Sequence, residues 1–330
     1  MSKQILNKSF HMKALVLNNT NQALDYQDIT LKHTEKNVVV NLKAAALNHR
    51  DVWIQKGQYA GIKFPTVLGS DGAGVCNGRD VIINPGINWA KNSNVQPENF
   101  KILGLPDDGT FAEMVSVPSE LLVEKPTFLS WHEAAALPLA GLTAYRALFT
   151  KCQVKKGEKV LISGIGGGVA LFAMQFALAI GAEVYVTSGD DAKIEKAISL
   201  GAKGGENYND NAFAKKLQVQ TGGFDVVIDS AAGEGFAQFA RLANPGGRIA
   251  FFGGTRGNIQ NLNPQLIFWK QLSIFGTTMG SAEEFEAMVN LVEKHKIKPI
   301  IDSVFELKNG NAALEKMENG TQFGKIVLEM

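Results

Sequence analysis

The sequence contains few of the residues that build disulfide frameworks or metal sites, with 2 cysteines and 5 histidines among 330 residues. Cys76 and Cys152 lie far apart, without the second pair that a disulfide framework or a thiolate zinc site requires. Such sparse cysteine usage is typical of a reducing compartment. We therefore expect a cytoplasmic protein.

An excess of charge and long apolar runs are also missing. The formal net charge is +1, so no overall field attracts nucleic acid or an anionic membrane. The longest apolar stretch, residues 169–180, is interrupted by Gln175 and is too short to span a bilayer. Residues 1–11 lack the apolar segment of a secretory signal. We therefore expect neither nucleic acid nor a membrane as a partner, and any phosphate group must be bound by local contacts.

What the chain does have is length and glycine. A chain of 330 residues exceeds the size at which one hydrophobic core keeps growing, and 34 glycines suit an α/β protein with many tight turns. Short alternating segments between Met12 and Val123 indicate an irregular β-rich domain. After Pro126, Ser130 and Glu133 form a capping-box pattern, which predicts the start of a helix.

The stretch from Lys159 to Gly276 alternates apolar strands with helices, as a doubly wound parallel sheet requires. The predicted strands are 160–163, 183–187, 225–229, 248–252 and 272–275, with a weaker one near 204–208. A second capping box at Ser281 and Glu284 predicts a helix to about His295, and two further strands follow. We expect this tail to rejoin the first domain, giving one domain from residues 1–131 and 278–330 and another from 132–277.

A glycine-rich turn from Ser163 to Ala170 follows the first strand of this sheet and leads into a helix. Free backbone amides and the positive end of the helix dipole can hold a pyrophosphate there. A tight turn with a purely structural purpose is the alternative, because a single glycine-rich turn is a weak signal. The alternating units around it favour a dinucleotide site.

The end of the second strand bears on the choice between NAD and NADP. Ser188 stands where NAD sites usually carry an acid, and Lys193 and Tyr208 could complete a pocket for the 2′-phosphate. Asp190 or Asp191 could instead bind the ribose and select NAD, but an aspartate here is also an ordinary helix cap. Lys193 could equally be a solvated helix lysine. The sequence favours NADP(H).

Several motifs, in order and spacing, resemble those of the medium-chain dehydrogenase/reductase superfamily, especially its zinc-independent quinone-oxidoreductase-like and alcohol-dehydrogenase-like members. They are residues 45–51 (AALNHRD), 67–74 (VLGSDGAG), 109–113 (GTFAE), 134–145 (AAALPLAGLTAY), the glycine turn and 322–327 (QFGKIV). The resemblance covers essentially the whole chain from Met12. It implies an α/β protein with a Rossmann domain and a GroES-like β-rich catalytic domain.

The resemblance also implies residue roles. Asn48, Thr143 and the segments 252–255 and 276–278 would line the nicotinamide. The positions of Ser188, Lys193 and Tyr208 match those that hold the 2′-phosphate in NADPH-using relatives. The cofactor-binding candidates are Thr143, Gly164, Gly166, Gly167, Gly168, Val169, Ser188, Lys193, Tyr208, Phe252, Gly253, Thr255, Thr277 and Thr278. Relatives usually pair the last Rossmann strand, here residues 272–275, across a two-fold axis, so we expect a homodimer.

Zinc ligands are missing from the positions where the zinc branch of the family has them. By the resemblance those positions hold Asn48, Ser70 and Leu139, and amide or apolar side chains cannot replace thiolate ligation of zinc. The segment 86–105 also contains none of the four cysteines of the structural zinc lobe. We therefore predict no metal.

Without a Lewis acid, hydrogen-bond donors must polarise the acceptor, which suits hydride transfer from NADPH to a quinone, an enone or a related activated carbonyl compound. The catalytic candidates are Asn48, Arg50, Asp51 and Tyr59, with Asp51 orienting Arg50. His49 could relay a proton or be a structural partner. A zinc-free alcohol or aldehyde dehydrogenase and a non-catalytic NADPH-binding sensor are the alternatives.

Overall fold

The computed structural model describes residues 10–89 and 94–330, so the prediction about a signal segment falls largely outside it. None of the helices within these ranges is both long and apolar enough to cross a bilayer. The strands are β1 His11–Leu17, β2 Asp25–Thr30, β3 Asn37–Ala46, β4 Thr66–Val67, β5 Asp71–Cys76, β6 Arg79–Ile83, β7 Gly86–Ile87, β8 Lys101–Ile102, β9 Met114–Pro118, β10 Leu122–Glu124, β11 Lys159–Ile162, β12 Glu183–Ser188, β13 Gly204–Asn207, β14 Phe224–Asp229, β15 Ala243–Phe251, β16 Ser273–Gly276, β17 Ile301–Glu306 and β18 Lys325–Glu329.

Helices connect many of these strands. They are α1 His49–Gln55, α2 Trp131–Ala136, α3 Pro138–Tyr145 with its π-helical continuation Arg146–Lys151, α4 Gly168–Ala179, α5 Asp191–Ser199, α6 Phe213–Thr221, α7 Phe236–Leu242, α8 Pro264–Lys270, α9 Ala282–His295 and α10 Gly310–Glu318. Short 3₁₀ helices span Ser119–Leu121 and Leu307–Asn309. Both predicted capping boxes, at Ser130 and at Ser281, are confirmed.

The chain forms two compact units. The first contains the described residues up to Leu139, Ile301–Thr321 and Lys325–Met330, and the second contains Ala140–Ile300 and Gln322–Gly324. The first unit is the β-rich one. Its main sheet has the order β10-β6-β5-β3-β18-β17 with β9 also paired to β3, and a second sheet has the order β2-β1-β4.

Three central strands of the first unit bring distant parts of the sequence together. In β3, Ala46 pairs with Asp71 of β5 on one side and with Val327 of β18 on the other. Asn48 follows β3, and Lys325 is the first residue of β18. The polar residues Asn48, Asp71 and Lys325 therefore stand at the same end of three adjacent strands.

The second unit contains the predicted Rossmann sheet. Its strands are all parallel and have the order β13-β12-β11-β14-β15-β16, which is the doubly wound order 3-2-1-4-5-6. Each predicted strand of this region is present within a residue or two at most boundaries, and β15 begins earlier, at Ala243. The order reverses between β11 and β14, where open α/β sheets bind their ligands.

The boundaries of the two units differ from those predicted. Residues 278–300 were expected to join the first domain, but α9 packs within the second unit, where Phe285, Met288 and Val292 are buried. Arg146 also donates to Glu284 at 2.7 Å. Residues 132–139 instead belong to the first unit, because α2 packs on β3, β5 and β18.

Candidate functional site

The glycine turn after β11 has the backbone geometry that only glycine adopts readily. Gly164 and Gly166 have φ values of +66° and +119°, in the region that L side chains avoid. A Cβ on Gly164 would lie 2.5 Å from Ser230 Oγ. Gly167 is the N-cap of α4, and Gly168 and Val169 begin the helix. The turn thus leaves the N-terminus of a 12-residue helix available to an anion.

Buried polar groups hold this turn to the neighbouring strand. The Ser163 hydroxyl donates to Asp229 at the end of β14, and Asp229 Oδ2 accepts from the Ala232 amide at 2.7 Å. Burial raises the pKa of Asp229 above its ordinary value, while the Ser163 hydrogen bond opposes that shift. Ile165 N donates to Thr187 O at 2.9 Å, which ties the turn to β12.

The two acids that follow β12 are engaged locally. Asp190 Oδ1 accepts from the Ala192 amide at 2.9 Å and caps α5, as one of the two interpretations of the sequence held. Asp191 Oδ1 accepts from Asn207 Nδ2 at 2.8 Å. Ser188 is buried at the end of β12, and its Oγ accepts from the Asp190 amide at 3.2 Å. Both carboxylates therefore have a role in the local fold.

Lys193, Tyr208 and Ser188 lie around the turns that end β11, β12 and β13. A Cβ on Gly166 would be 2.9 Å from Lys193 Cδ, so the lysine stem lies against the glycine turn. A Cβ on Gly189 would be 2.9 Å from the Tyr208 hydroxyl oxygen. The Arg256 guanidinium carbon is 4.5 Å from the centroid of the Tyr208 ring. Sequence reasoning missed Arg256, which directly follows the segment 252–255.

The remaining cofactor candidates of the second unit lie in α3 or after the last two strands. Thr143 is buried in α3. A Cβ on Gly253 would be 2.2 Å from Ser230 O, which requires glycine there. Thr277 N donates to Phe251 O at 3.0 Å, and its Oγ1 is buried without a hydrogen-bond partner among the described residues. Three candidates remain, the partly buried Phe252 and the exposed Thr255 and Thr278.

A second residue that sequence reasoning missed lies beside the glycine turn. Gly324 N donates to Gly166 O at 3.0 Å, which attaches residues 322–324 to the turn. Gln322 is 5% exposed, and its Oε1 is buried with no hydrogen-bond partner in the described chain. The motif at 322–327 is visible in the sequence, but its contact with the turn depends on the tertiary fold.

The first unit contains a buried polar network around Asn48. Asn48 Nδ2 donates to Asp71 Oδ2 at 2.9 Å, and Lys325 Nζ donates to Asn48 Oδ1 at 2.7 Å and to Asp71 Oδ2 at 3.0 Å. Asp71 Oδ1 accepts from the Leu139 amide at 2.8 Å. Lys325 also donates to Leu47 O at 2.7 Å. Asp71 and Lys325 carried no predicted role.

Arg50 and Asp51, on α1, are buried beside this network. Arg50 Nη1 donates to Ser70 Oγ at 2.5 Å and to Leu103 O at 2.9 Å, and its guanidinium carbon lies 5.7 Å from the centroid of the Tyr59 ring. Tyr59 itself is 40% exposed. Asp51 Oδ2 accepts from the backbone N–H of Asn48 at 2.8 Å and so caps the helix. The structure does not pair Asp51 with Arg50 by a hydrogen bond.

Desolvation shifts the pKa values of two titrating groups on α1. Burial raises the pKa of Asp51 to about 6, although the nearby Arg50 charge opposes the shift. Desolvation by the surrounding protein atoms, followed by the positive charge of Lys325, lowers the pKa of His49, although its side chain is exposed to solvent. A lowered pKa favours the neutral imidazole, which suits a structural partner or a proton acceptor alike.

The residues at the predicted ligand positions do not fit a zinc ion. Both polar atoms of the Asn48 amide are engaged by Lys325 and Asp71, and the Ser70 hydroxyl donates to Leu103 O at 2.8 Å. An ammonium beside Asn48 also repels a divalent cation. Over residues 10–89 and 94–330, no three His, Cys, Asp or Glu side chains lie close enough to hold a metal ion.

Comparison with known proteins identifies relatives of both units. The family model for the alcohol dehydrogenase GroES-like domain matches residues 34–127, and that for zinc-binding dehydrogenase matches residues 168–294. The zinc-type alcohol dehydrogenase-like protein YogA of Leptosphaeria maculans is 34% identical over 324 residues, covering 89% of this chain and 90% of that protein. The quinone oxidoreductase of Mus musculus is 29% identical over 303 residues, covering 88% of each.

A solved structure described as an NAD-dependent alcohol dehydrogenase superposes with a TM-score of 0.91. It is 35% identical to this chain and covers 97% of it and 100% of the solved chain. The shared fold, the two domain matches and these identities agree with the motifs found in the sequence. The chain belongs to the medium-chain dehydrogenase/reductase superfamily of oxidoreductases.

Proposed function

We propose that the chain is an NADP(H)-dependent oxidoreductase that transfers hydride to a quinone, an enone or a related activated carbonyl compound without a metal ion. The observation that carries the cofactor part is the position of Lys193 against the glycine turn and of Ser188 and Tyr208 around Gly189. The two acids that follow β12, Asp190 and Asp191, are engaged in local hydrogen bonds. An anion is stabilised there by the α4 N-terminus and by the lysine charge.

Arg256 strengthens the preference for a 2′-phosphate. Its guanidinium stacks on the ring of Tyr208, the residue whose hydroxyl lies beside Gly189. A second cation there favours the extra negative charge of NADP, which NAD lacks. The name of the solved relative, an NAD-dependent alcohol dehydrogenase, points the other way. The ratio of NADPH affinity to NADH affinity therefore decides between the two cofactors.

When bound, the dinucleotide supplies or accepts the hydride. The second unit binds its phosphates through the glycine turn, which the buried hydrogen bond from Ser163 to Asp229 holds in place. Gln322, whose buried Oε1 lacks a partner in the described chain, is a candidate acceptor for a cofactor N–H or hydroxyl group. These residues bind and orient the cofactor and do not themselves react.

The first unit supplies hydrogen-bond donors for the oxygen of the acceptor. Asn48 has a second Nδ2 hydrogen beyond the one that Asp71 accepts, and the partly exposed Tyr59 presents a hydroxyl group. Arg50 lies beside the Tyr59 ring and is fixed by Ser70 and Leu103, so we assign it a positioning role. Asp51 caps α1 and thereby positions Asn48.

The quinone oxidoreductase relative and the unsuitable zinc positions support a quinone or enone as the acceptor. A donor array without a Lewis acid stabilises an enolate or hydroquinone oxygen, whereas simple alcohols are less reactive. Alcohol or aldehyde oxidoreduction without zinc is the second candidate function, favoured by the names of the zinc-type and NAD-dependent relatives.

The reaction is tested by mixing metal-depleted protein with NADPH and following the absorbance at 340 nm. Probes are 1,4-benzoquinone, 3-buten-2-one and butanal, each with a protein-free control. We expect oxidation with the first two. Activity with butanal alone would favour the alcohol or aldehyde candidate. Tight NADPH binding without turnover of any probe would contradict the enzymatic proposal and favour a sensor.

We also propose a homodimer formed through the edge of the parallel sheet. Strand β16 pairs only with β15 in the described sheet, and the adjacent helix α8 exposes Phe268 and Trp269 at 58% and 78%. Large exposed aromatic side chains next to an open strand edge are typical of an interaction surface. Both cysteines are free and buried, which agrees with the cytoplasmic location that we propose.

A further inference from the structure

The ammonium group of Lys325 is buried and has a full set of acceptors. The residue is 3% exposed, and Nζ donates to Leu47 O, Asn48 Oδ1 and Asp71 Oδ2 at 2.7, 2.7 and 3.0 Å. These acceptors match the three donors of an ammonium group. A long, flexible side chain thus carries its positive charge at one defined point beside Asn48.

This arrangement fixes the orientation of the Asn48 amide. An ammonium can only donate, so the Asn48 atom that faces it must be Oδ1, and the carboxylate of Asp71 accepts from Nδ2 at 2.9 Å. A flipped amide would lose both contacts. Nδ2 carries two hydrogens, and Asp71 accepts only one of them. The ammonium also polarises the amide through Oδ1, which makes the second N–H a stronger donor.

The network joins two of the positions that carry zinc ligands in the other branch of the family. Asn48 occupies one, and Leu139 occupies another and donates its amide to Asp71 Oδ1 at 2.8 Å. Sequence comparison at these positions shows only the loss of ligands. The structure shows in addition that a cation lies beside these positions. It is Lys325 of β18, which is more than 250 residues from Asp71 in the chain and therefore is not evident from the motif around Asn48.

We propose that Lys325 is the positioning residue of this site and that its charge takes the place of a metal ion. It holds the Asn48 amide so that the second Nδ2 hydrogen is donated to the carbonyl or quinone oxygen of the substrate. Negative charge develops on that oxygen as the substrate takes hydride from NADPH, which leaves as NADP⁺, and a proton from solvent completes the reduction. The proposal rests on the proposed reductase activity, with Asn48 contacting substrate and Lys325 acting through it.

The test compares Lys325→Met with Lys325→Met/Asp71→Asn. The single variant leaves a buried carboxylate without its cation and is expected to unfold at a lower temperature. The double variant removes both charges at nearly constant shape. We expect it to unfold within about 5 °C of the wild-type protein and to bind NADPH with unchanged affinity. Its kcat should nevertheless fall on the order of 100-fold, as when one oxyanion donor is lost.

Lys125→Met is the matched control. Lys125 also belongs to the first unit, donates to Leu129 O at 2.8 Å and lies 5.1 Å from the centroid of the Trp131 ring, but it has no contact with Asn48. Its loss should leave kcat unchanged. A double variant with wild-type kcat would show that Lys325 is a structural partner only, and it would overturn the proposal while leaving the reductase function intact.

A second measurement needs neither substrate nor turnover. In protein labelled with ¹⁵N-asparagine, the Asn48 side-chain amide is identified by its absence in Asn48→Ala. Its hydrogens should exchange with solvent at least about ten-fold faster once Lys325 is replaced, because its hydrogen bonds open more often. An Asn48 signal that is unaffected by Lys325→Met/Asp71→Asn would overturn the proposal even if the wild-type protein reduced none of the probes.

Discussion

Arg146 Nη1 donates to both carboxylate oxygens of Glu284 at 2.7 Å, and this contact joins the π-helical segment after α3 to the first turn of α9. Their side chains are only 4% and 13% exposed. Glu284 Oε2 also accepts from the Ser281 amide at 2.7 Å. One carboxylate thus caps α9 and pairs with a buried guanidinium, and this explains why α9 belongs to the second unit.

Loss of one partner from this pair should destabilise the second unit strongly. Arg146→Met leaves the Glu284 carboxylate buried without its cation, and we expect the free energy of unfolding to fall by about 3–5 kcal/mol. Urea denaturation measures this change. Lys308→Met, which removes the exposed ion pair with Glu306, should leave the urea midpoint close to that of the wild-type protein. If Arg146→Met had as small an effect as Lys308→Met, the buried Arg146–Glu284 pair would not stabilise the second unit as described.

Asp51 should make stability depend on pH. Its pKa is raised from 3.8 to about 6 by burial, so the folded protein binds this proton more tightly than the unfolded chain. That contribution to stability is complete below pH 3.8 and is lost as the pH rises through 6. Asp51→Asn keeps an acceptor for the backbone N–H of Asn48 but cannot ionise.

The difference in unfolding free energy between Asp51→Asn and the wild-type protein should therefore change with pH. It should favour the variant by about 2 kcal/mol more at pH 8 than at pH 4.5, which is the value that linkage gives for this pKa shift. Denaturation at both pH values measures the difference. The groups that face Asp51, namely Arg50, Asp71 and Lys325, are unchanged in the variant. A difference of zero, or one of opposite sign, would show that Asp51 is ionised in the folded protein without cost.

The thiols should be inert in the native protein. Cys152 is fully buried, and burial raises the pKa of its thiol to about 12. Cys76 is 1% exposed. Because the thiolate is the reactive form, we expect no reaction with a thiol reagent before unfolding, and modification of both cysteines afterwards. Rapid modification of Cys152 in folded protein would contradict this description of its surroundings.

The proposed dimer interface predicts the effect of a charge on α8. Trp269→Glu should yield monomers in analytical ultracentrifugation, because a carboxylate is costly to bury in an apolar interface. Val219→Glu, at an 80% exposed position on α6, is the control and should remain dimeric. A wild-type protein that sediments as a monomer at micromolar concentration would rule out the dimer.

Local signals in the sequence were sufficient for much of the fold. The capping boxes at Ser130 and Ser281 and the Asp190 cap each depend on residues within one helical turn, and all three are present. The parallel strands also followed from short apolar runs separated by helices. The assignment of residues 278–300 failed because it depends on the contact of Glu284 with Arg146, 138 residues away.

The contacts of the candidate site also depend on residues that are distant in sequence. Asn48 was selected from its own neighbourhood, but its partners Asp71 and Lys325 are distant in sequence and meet only because β5, β3 and β18 are adjacent. Arg256 likewise contacts Tyr208 from a different loop. Pairings of this kind depend on strand order, which periodicity in a single sequence does not specify.

The 2′-phosphate pocket predicts how two substitutions change cofactor choice. Lys193→Gln and Arg256→Gln should each weaken NADPH binding about ten-fold or more, the value of one charge-assisted contact, and leave NADH binding within about two-fold. Fluorescence titration with both cofactors measures the ratio. Arg241→Gln, at an exposed arginine on α7, is the control. Equal losses for NADPH and NADH would place these cations away from the 2′-phosphate.

The central claim is tested most directly by steady-state kinetics of protein whose zinc content has been measured. With 1,4-benzoquinone as acceptor, we expect kcat/KM for NADPH to exceed that for NADH by at least about ten-fold, or about 1.4 kcal/mol. This activity should persist in protein with far less than one zinc ion per chain. Equal values for the two cofactors, or activity that rises in proportion to bound zinc, would contradict the account.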